Sequence, residues 1–394
     1  MADKVTVHTI AGQPSWVVET KNISLAVTQL GGHMAPVTFY NDTDRPVQPY
    51  YISPWQEEHG HKIEVPALVP LRGDLFCMPF GGNNSYKGEE HTAHGETASG
   101  KWHYERLDRT DNETVVTLFM ETGKDAEKKG RPGMVTKQFR LIEEHNVLYI
   151  RHTLEGFTGP MSLGHHATLA VPEEEGSMRI ATSPVRFGLT SSRPKDCFAG
   201  DKEYYSIAPD EEFSDLSKVP TIWKAVPYTD CSLFPARKGF MDVIGVYSDR
   251  TGNTPPESLA WTTASVPSKG YLWFSLKDAS VLPATVFWMA NGGRYMPPWS
   301  GRNRCIGLED VCSLLADGLV PSAGRNPVNE RGIPTVIELT SKKQTVINYI
   351  QGVVKIPKSF DRVADVRFEE GKAVFTAASG ESVETGVDWQ FLFR

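Results

Sequence analysis

Little in this chain marks it as exported, membrane-bound or stabilised by disulfides. Its 394 residues include five cysteines, none in a CxxC pair: Cys77, Cys197, Cys231, Cys305 and Cys312. The opening segment MADKVTVHTIAGQPSW has no apolar core of the kind that signal peptides carry. No apolar stretch is long enough to cross a bilayer. These absences predict a cytoplasmic protein with reduced thiols and no membrane partner.

The chain also lacks an excess of positive charge. It has 41 Lys and Arg residues against 48 Asp and Glu, a net charge of −7, and its basic residues are scattered. A protein that binds nucleic acid usually carries a basic patch or stripe. The composition therefore predicts no nucleic-acid partner.

Helical periodicity is scarce as well. Two short segments, Glu211 to Lys218 and Leu308 to Leu315, are the predicted helices. The remainder is rich in Val, Ile, Thr and aromatic residues, often alternating with polar ones, as is typical of strands. The predicted strands are SWVVET, ISLAVTQL, KWHYERL, TVVTLFMET, MVTKQFRLI, VLYIRHTL, VIGVYS, SLAWTTA, GYLWFSL, TVFWMA, TVIELT, QTVINYI, ADVRFE, AVFTAA and DWQFLF.

Strands that follow one another without intervening helices predict an all-β protein, either an antiparallel sandwich or a barrel. Two irregular segments, 191–228 and 321–334, interrupt the strands, but strand patterns resume after each with similar composition. We therefore predict a single domain over residues 1–394, with long loops that carry binding residues.

Three places in the chain carry side chains suited to proton transfer. Glu309 lies in the apolar run CIGLEDVCSL, His94 precedes a glycine in TAHGETASG, and His165 and His166 are adjacent in SLGHHATLAV. A carboxylate with imidazoles can act as a general base and a general acid. On a strand His165 and His166 face opposite sides, so only one of them can enter a given cavity. Plainer roles stay open: Glu309 as a surface acid or in a first helical turn, and His94-Gly95 as a solvated turn.

Other basic and imidazole groups point to different chemistry. The segment His59-Gly-His61-Lys-Ile-Glu64 comes one residue short of the HxHxxxE metal motif of cupins. A solvated polar loop is the alternative for that segment. A cluster of arginines precedes Glu309 and could receive a phosphate or carboxylate, or pair with acids of the chain. Its members are Arg294, Arg302 and Arg304.

Several motifs follow one another along the chain: Gly31-Gly32 in QLGGHMAPVTF, Arg72 in PLRGDLFCMPFGGN, His94-Gly95 followed by Trp102, the LGHHATL strand, and Glu309. Their order resembles that of the galactose mutarotase-like superfamily, the aldose 1-epimerases. The resemblance spans residues 20–350. The family's HPYF element is replaced by HATL at 166–169, and the sequence after the catalytic Glu by DVCS at 310–313.

The resemblance implies a β-supersandwich fold and a cofactor-independent isomerase that interconverts the α and β anomers of a sugar. It implies Glu309 as the catalytic base, His166 as the acid and His94 as support for the ring oxygen. Arg72, His165 and Asn83 would bind substrate, and Arg72 could instead pair with Asp74 or another acid. A sugar-binding or sensing protein without catalysis is a second hypothesis, since the HPYF element is replaced. A cupin-like metal-dependent sugar isomerase is a third.

Overall fold

The computed structural model of the protein describes residues 5–58, 62–82, 85–124, 130–192, 203–250 and 256–394. The first strands in chain order are β1 (Thr6–Ile10), β2 (Gln13–Glu19), β3 (Ile23–Thr28), β4 (Met34–Phe39), β5 (Phe76–Cys77), β6 (Ser85–Tyr86), β7 (Glu89–Glu90), β8 (His103–Arg109), β9 (Glu113–Thr122), β10 (Gly133–Ile142), β11 (Val147–Glu155), β12 (Gly159–Met161), β13 (Leu163–Ala170), β14 (Met178–Thr182) and β15 (Val185–Thr190).

The later strands are β16 (Glu212–Phe213), β17 (Val219–Pro220), β18 (Tyr228–Thr229), β19 (Leu233–Phe234), β20 (Phe240–Ser248), β21 (Leu259–Val266), β22 (Tyr271–Asp278), β23 (Ala284–Asn291), β24 (Arg304–Cys312), β25 (Ile337–Leu339), β26 (Thr345–Lys355), β27 (Val363–Glu369), β28 (Lys372–Ala377) and β29 (Ser382–Gly386). One α-helix, α1 (Leu319–Ala323), occurs among the described residues, with short 3-10 helices at Pro66–Leu68, Glu96–Ala98, Leu216–Lys218, Pro267–Lys269, Asn329–Arg331 and Trp389–Phe393.

Two large antiparallel sheets form the body of the fold. The nine-stranded sheet has the order β19-β14-β21-β22-β26-β11-β10-β9-β8, and the seven-stranded sheet the order β16-β15-β20-β23-β24-β13-β5. A single apolar cluster contains side chains of both sheets, such as Phe139 and Ile150 from the first and Phe287 and Leu308 from the second. The sandwich core therefore lies between these two sheets, and the prediction of an all-β antiparallel sandwich is confirmed.

The seven-stranded sheet is buried on its other face too. Val243, Val286, Trp288 and Cys305 belong to a second apolar cluster on that side. A strand covered on both faces needs apolar residues at nearly every position, so its sequence is a continuous apolar run. This explains why the predicted helix at Leu308 to Leu315 is wrong. Most of that segment is the end of the central strand β24.

Two further predictions are wrong, a strand near residue 390 and a helix near residue 215. The predicted strand DWQFLF is a 3-10 helix, Trp389–Phe393, whose Phe391 and Leu392 are buried against the outer face of the nine-stranded sheet. The Asn348 side-chain amide donates to the carbonyl of Phe391 and holds that turn. The predicted helix at Glu211 to Lys218 contains β16 and the 3-10 turn Leu216–Lys218 instead.

The smaller sheets cover the two large ones. Strands β1 to β4 form a four-stranded sheet, and β27 to β29 a three-stranded one. The three-stranded sheet shares an apolar cluster with the nine-stranded sheet through residues such as Phe375 and Phe274, whose ring centroids are 4.9 Å apart. The single domain over residues 1–394 stays a prediction, and this packing is compatible with it.

Candidate active site

Strand register places His166 opposite Glu309. In the antiparallel pair of β13 and β24, His166 is the partner of Glu309, and Val286 of β23 is the partner of Glu309 on its other side. Directly opposed residues project from the same face of a sheet. His166 Nε2 lies 3.1 Å from Glu309 Oε1.

The neighbouring residues in both strands point the other way, into the sandwich core. His165 Nδ1 lies 2.8 Å from Asp74 Oδ2, and the His165 ring stacks on Tyr349 with centroids 4.1 Å apart. Asp310 Oδ1 lies 2.6 Å from Lys277 Nζ. Alternation along a strand therefore separates each adjacent pair, so that one histidine and one acid reach the site face.

His94 reaches the same place from the loop that precedes β8. Its ring centroid is 5.0 Å from that of His166, and its Nδ1 is 3.3 Å from Cys77 Sγ. Its φ of 61° lies in the left-handed region. Gly95 follows with a φ of 76°, and a Cβ there would lie 1.9 Å from the carbonyl oxygen of Met78. Only glycine allows the loop to approach the β5 segment this closely, and this approach positions His94.

Glu309, His166 and His94 line one cavity of about 380 Å³, a volume within the usual range of ligand sites. Its walls are mainly apolar, with a small number of polar and charged groups. Besides Glu309, His166 and His94, the lining includes Trp288, Trp299, Arg294 and Glu203.

Three polar atoms in the walls are buried without a hydrogen-bond partner among the described residues. They are Glu309 Oε1, Trp288 Nε1 and Arg294 Nε, of which Glu309 Oε1 lies near His166 Nε2 and Arg294 Nε near Glu203 Oε1. Leaving a buried polar atom unpaired costs roughly 1–3 kcal/mol. An acceptor and donors that face a cavity are suited to a ligand with hydroxyl groups.

Burial sets the protonation of the central pair. Glu309 is 2% exposed, and burial raises the pKa of its carboxyl well above the usual value, with Arg294 acting in the opposite direction. Burial lowers the pKa of His166 to about 4. The imidazole is therefore neutral near pH 7, and its Nδ1 lies 3.1 Å from Thr168 Oγ1.

Gly307 provides the space for the Glu309 carboxylate. It lies two residues before Glu309 on the same face of β24, and a Cβ at Gly307 would lie 2.3 Å from Glu309 Oε1. The carboxylate occupies the volume that any other side chain would fill. A glycine two positions before an acid in a strand is a pattern that sequence inspection could have detected.

Not all of the predicted site residues reach this cavity. The Arg72 guanidinium is directed elsewhere and donates to the carbonyls of Ile10, Ala11 and Pro70 and to Gln56 Oε1. His165 faces the sandwich core, as described above. Asn83 lies outside the described residues. Of the substrate-binding residues expected from the sequence, neither Arg72 nor His165 lines the cavity.

The arginine cluster before Glu309 separates in the structure. Arg294 lines the cavity, with its Nε 2.7 Å from Glu203 Oε1. Arg302 pairs with Glu58, and Arg304 Nη1 lies 2.8 Å from Glu173 Oε2. All three arginines thus pair with acids of the chain, and Arg294 alone does so at the cavity.

Trp288, Trp299 and Glu203 were not predicted as site residues. Trp288 lies in the predicted strand TVFWMA, and alternation would place it on the same face as Val286. Trp299 and Glu203 lie in connecting segments, and no sequence pattern indicates which way their side chains point.

Residues of the possible metal motif, His59 and His61, lie outside the described residues. Within the part of the chain that is described, no group of three His, Cys, Asp or Glu side chains is arranged to hold a metal ion. The described segments also contain no helix that is both long and apolar enough to span a bilayer.

Comparison with known proteins gives a likeness of structure only. No protein-family model matches the sequence, and no curated protein matches it. A galactose mutarotase-like protein from Clostridium acetobutylicum superposes with a TM-score of 0.60 at 12% identity, covering 90% of this chain and 99% of that one. A galactose mutarotase related enzyme from Lactobacillus acidophilus gives a TM-score of 0.53 at 11% identity, covering 87% and 98%.

A third structure, the Slr1438 protein from Synechocystis sp. PCC 6803, matches with a TM-score of 0.56 at 11% identity, over 90% of this chain and 97% of that one. Likeness of this extent at such low identity shows a shared fold. The chain has the galactose mutarotase-like β-sandwich, as its motif order predicts.

Proposed function

We propose that the protein is an aldose 1-epimerase-like isomerase that interconverts the α and β anomers of a sugar or sugar derivative without a cofactor. The observation that carries this proposal is the 3.1 Å approach of His166 Nε2 to Glu309 Oε1 in a cavity that His94 also lines. A base, a hydrogen-bond donor and a small enclosed space are what ring opening of a hemiacetal requires.

The reaction needs one proton removed and one supplied. Glu309, when ionised, takes the proton of the anomeric hydroxyl, the C1–O5 bond breaks to give the open-chain aldehyde, and the same proton passes from Glu309 to O5, which becomes a hydroxyl. Rotation about the C1–C2 bond presents the other face of the carbonyl. The ring oxygen then attacks that face, and the two proton transfers reverse.

His166 serves as the donor to the ring oxygen in this scheme, supported by His94. Its low pKa, about 4, makes the imidazole neutral at physiological pH. A neutral imidazole N–H can still polarise an oxygen atom by donating a hydrogen bond to it, as neutral histidines do in other isomerases. His166 thus stabilises the negative charge that develops on the ring oxygen, and the proton that this oxygen takes up is the one that Glu309 removed.

Binding would come from the tryptophans. Trp288 and Trp299 line the cavity with ring centroids 5.7 Å apart, and aromatic faces suit the apolar faces of sugar rings. Trp288 Nε1, which has no partner among the described residues, is placed to donate to a sugar hydroxyl. Small carbohydrates are therefore the proposed partner, and a cytoplasmic location remains part of the proposal.

The test is a measurement of anomer exchange. Polarimetry on fresh α-anomers and NMR exchange at the anomeric proton should show acceleration above the buffer rate for at least one hexose, pentose or hexose 6-phosphate. A flat response across this panel, together with calorimetric binding of one of the sugars, would establish the sugar-binding alternative instead. A stoichiometric metal in the purified protein whose removal abolishes sugar isomerisation would support the cupin-like alternative.

A further inference from the structure

Arg294 occupies a distinctive place in the cavity wall, in the connection between β23 and β24. Its guanidinium carbon lies 4.9 Å from the ring centroid of Trp299 and 5.9 Å from that of Trp288. Both distances are within the range of cation–π contacts. Its Nε lies 2.7 Å from Glu203 Oε1. Two aromatic rings and one carboxylate hold this cation in a partly dry position.

The same tryptophan joins Arg294 to the central pair. The Trp288 ring centroid is 5.6 Å from that of His166, whose Nε2 is 3.1 Å from Glu309 Oε1. Arg294 and Glu309 line one cavity of mostly apolar walls. Charges that share such a volume interact more strongly than they would in water, because the surrounding dielectric is low.

Several titratable groups face Glu309 from the elements around it. From β13 and the loops come His166, His94, Arg294 and Glu203, and from the adjoining strands the thiols Cys77 and Cys305. Asp74 lies behind His166, on the core side. Among the described residues that line the cavity, Arg294 is the one with a permanent positive charge.

A buried carboxylate needs such a charge in order to ionise. Burial opposes the charged form of Glu309, and the charge of Arg294 acts against that opposition. Glu203 partly compensates Arg294 at 2.7 Å and must weaken its effect on Glu309. The wall therefore contains Arg294, whose charge acts on the Glu309 carboxylate, and Glu203, which pairs with Arg294.

We propose that Arg294 is a positioning residue that favours the ionised form of Glu309 in the cavity, and that Glu203 moderates the strength of this effect. The kinetic readout of this proposal rests on the proposed function, whereas its direct titration does not. The proposal predicts that the titration of Glu309 shifts in opposite directions when Arg294 and Glu203 are replaced. A packing role for either residue does not predict this pair of shifts.

The experiment compares Arg294→Met, Arg294→Lys and Glu203→Gln with the unaltered protein. In Arg294→Met the acid limb of the kcat/KM profile should move to higher pH, because loss of an opposite charge raises the pKa of a carboxyl. Arg294→Lys keeps the positive charge, so its acid limb should lie close to that of the unaltered protein. Glu203→Gln should move the limb downward, since the compensating anion is gone. Arg302→Met, on the same connection but paired with Glu58, is the matched control and should leave the limb in place.

A second measurement separates this proposal from the proposed function. The carboxyl carbon of Glu309, assigned by its loss in Glu309→Gln, can be titrated by ¹³C NMR in each variant whether or not the protein catalyses mutarotation. Opposite shifts of the Glu309 midpoint in Arg294→Met and Glu203→Gln support the proposal. An unmoved midpoint in both variants overturns it. If Arg294→Met does not fold, the Glu203→Gln titration alone decides, with no downward shift counting against the proposal.

Discussion

His166 and Glu309 face each other across the antiparallel pair of β13 and β24, with Nε2 and Oε1 3.1 Å apart. Each is one of two adjacent polar residues in its strand. Their neighbours face the sandwich core, where His165 lies against Asp74 and Asp310 pairs with Lys277. In each of the two strands, one polar residue therefore faces the cavity and the adjacent one faces the sandwich core.

Replacement of Glu309 by Gln should abolish most of the turnover. The amide has the size of the acid but no basic oxygen, so kcat should fall by roughly 10²–10⁴-fold, the usual contribution of general-base catalysis. The exposed Glu175→Gln is the matched control and should keep full activity. A Glu309→Gln protein that folds normally and retains near-full turnover on the best sugar would disprove the catalytic assignment.

The two histidines should respond differently to replacement by Asn. His166→Asn should lose far more activity than His165→Asn, because only His166 lines the cavity. His165→Asn should instead lower the free energy of unfolding by about 1–3 kcal/mol, since it leaves the buried Asp74 carboxylate without its imidazole. Kinetics per folded molecule and urea unfolding would separate the two effects. Greater loss of turnover in His165→Asn would contradict the register assigned to the site.

Activity should fall on acidification at a pH well above that of an ordinary glutamate. A base must be deprotonated to act, and burial raises the pKa of Glu309 well above 4.5. Activity is thus present above that raised pKa and is lost as the pH falls through it. The kcat/KM profile, corrected for uncatalysed exchange, reports this free-enzyme pKa. A midpoint at or below 4.5 would show that a different group controls the reaction.

Gly307→Ala should disturb the site without touching substrate. The new methyl group would lie 2.3 Å from Glu309 Oε1, so the carboxylate must move. A displacement of about 1 Å can cost roughly 10²-fold in rate. Gly324→Ala is the control, because its φ is −79° and its Cβ would meet nothing closer than 3.3 Å. Unchanged kcat in Gly307→Ala would mean that the position of Glu309 is unimportant.

Trp288→Phe should weaken sugar binding more than it slows turnover. The variant keeps an aromatic face but loses the Nε1 donor, which has no partner among the described residues. Loss of one hydrogen bond, net about 0.5–1.5 kcal/mol, corresponds to an increase in Kd of roughly 2- to 10-fold. Trp223→Phe, at a residue that is 38% exposed and outside the cavity lining, serves as the control. Equal affinity in Trp288→Phe and the unaltered protein would remove Trp288 from the binding site.

Local pattern in the sequence determined the strand content and the division of the adjacent histidines. Alternation has a period of two residues, so it requires His165 and His166 to face opposite sides whatever the sheet contacts. Motif order was sufficient to indicate the galactose mutarotase-like fold. The same local reasoning failed at Leu308 to Leu315, because a strand buried on both faces loses the alternation that distinguishes it from a buried helix.

Tertiary structure alone decided which residues meet. The register of β13 on β24 brings His166 to Glu309, and no local pattern specifies a pairing between segments so distant in the chain. Nor could the sequence show that Arg72 binds backbone carbonyls while Arg294 enters the cavity. Arginine is compatible with both environments, and long-range packing chooses between them. The kinds of groups available thus follow from the residue types, whereas their partners follow from the fold, because side-chain chemistry is local and proximity is a property of the whole chain.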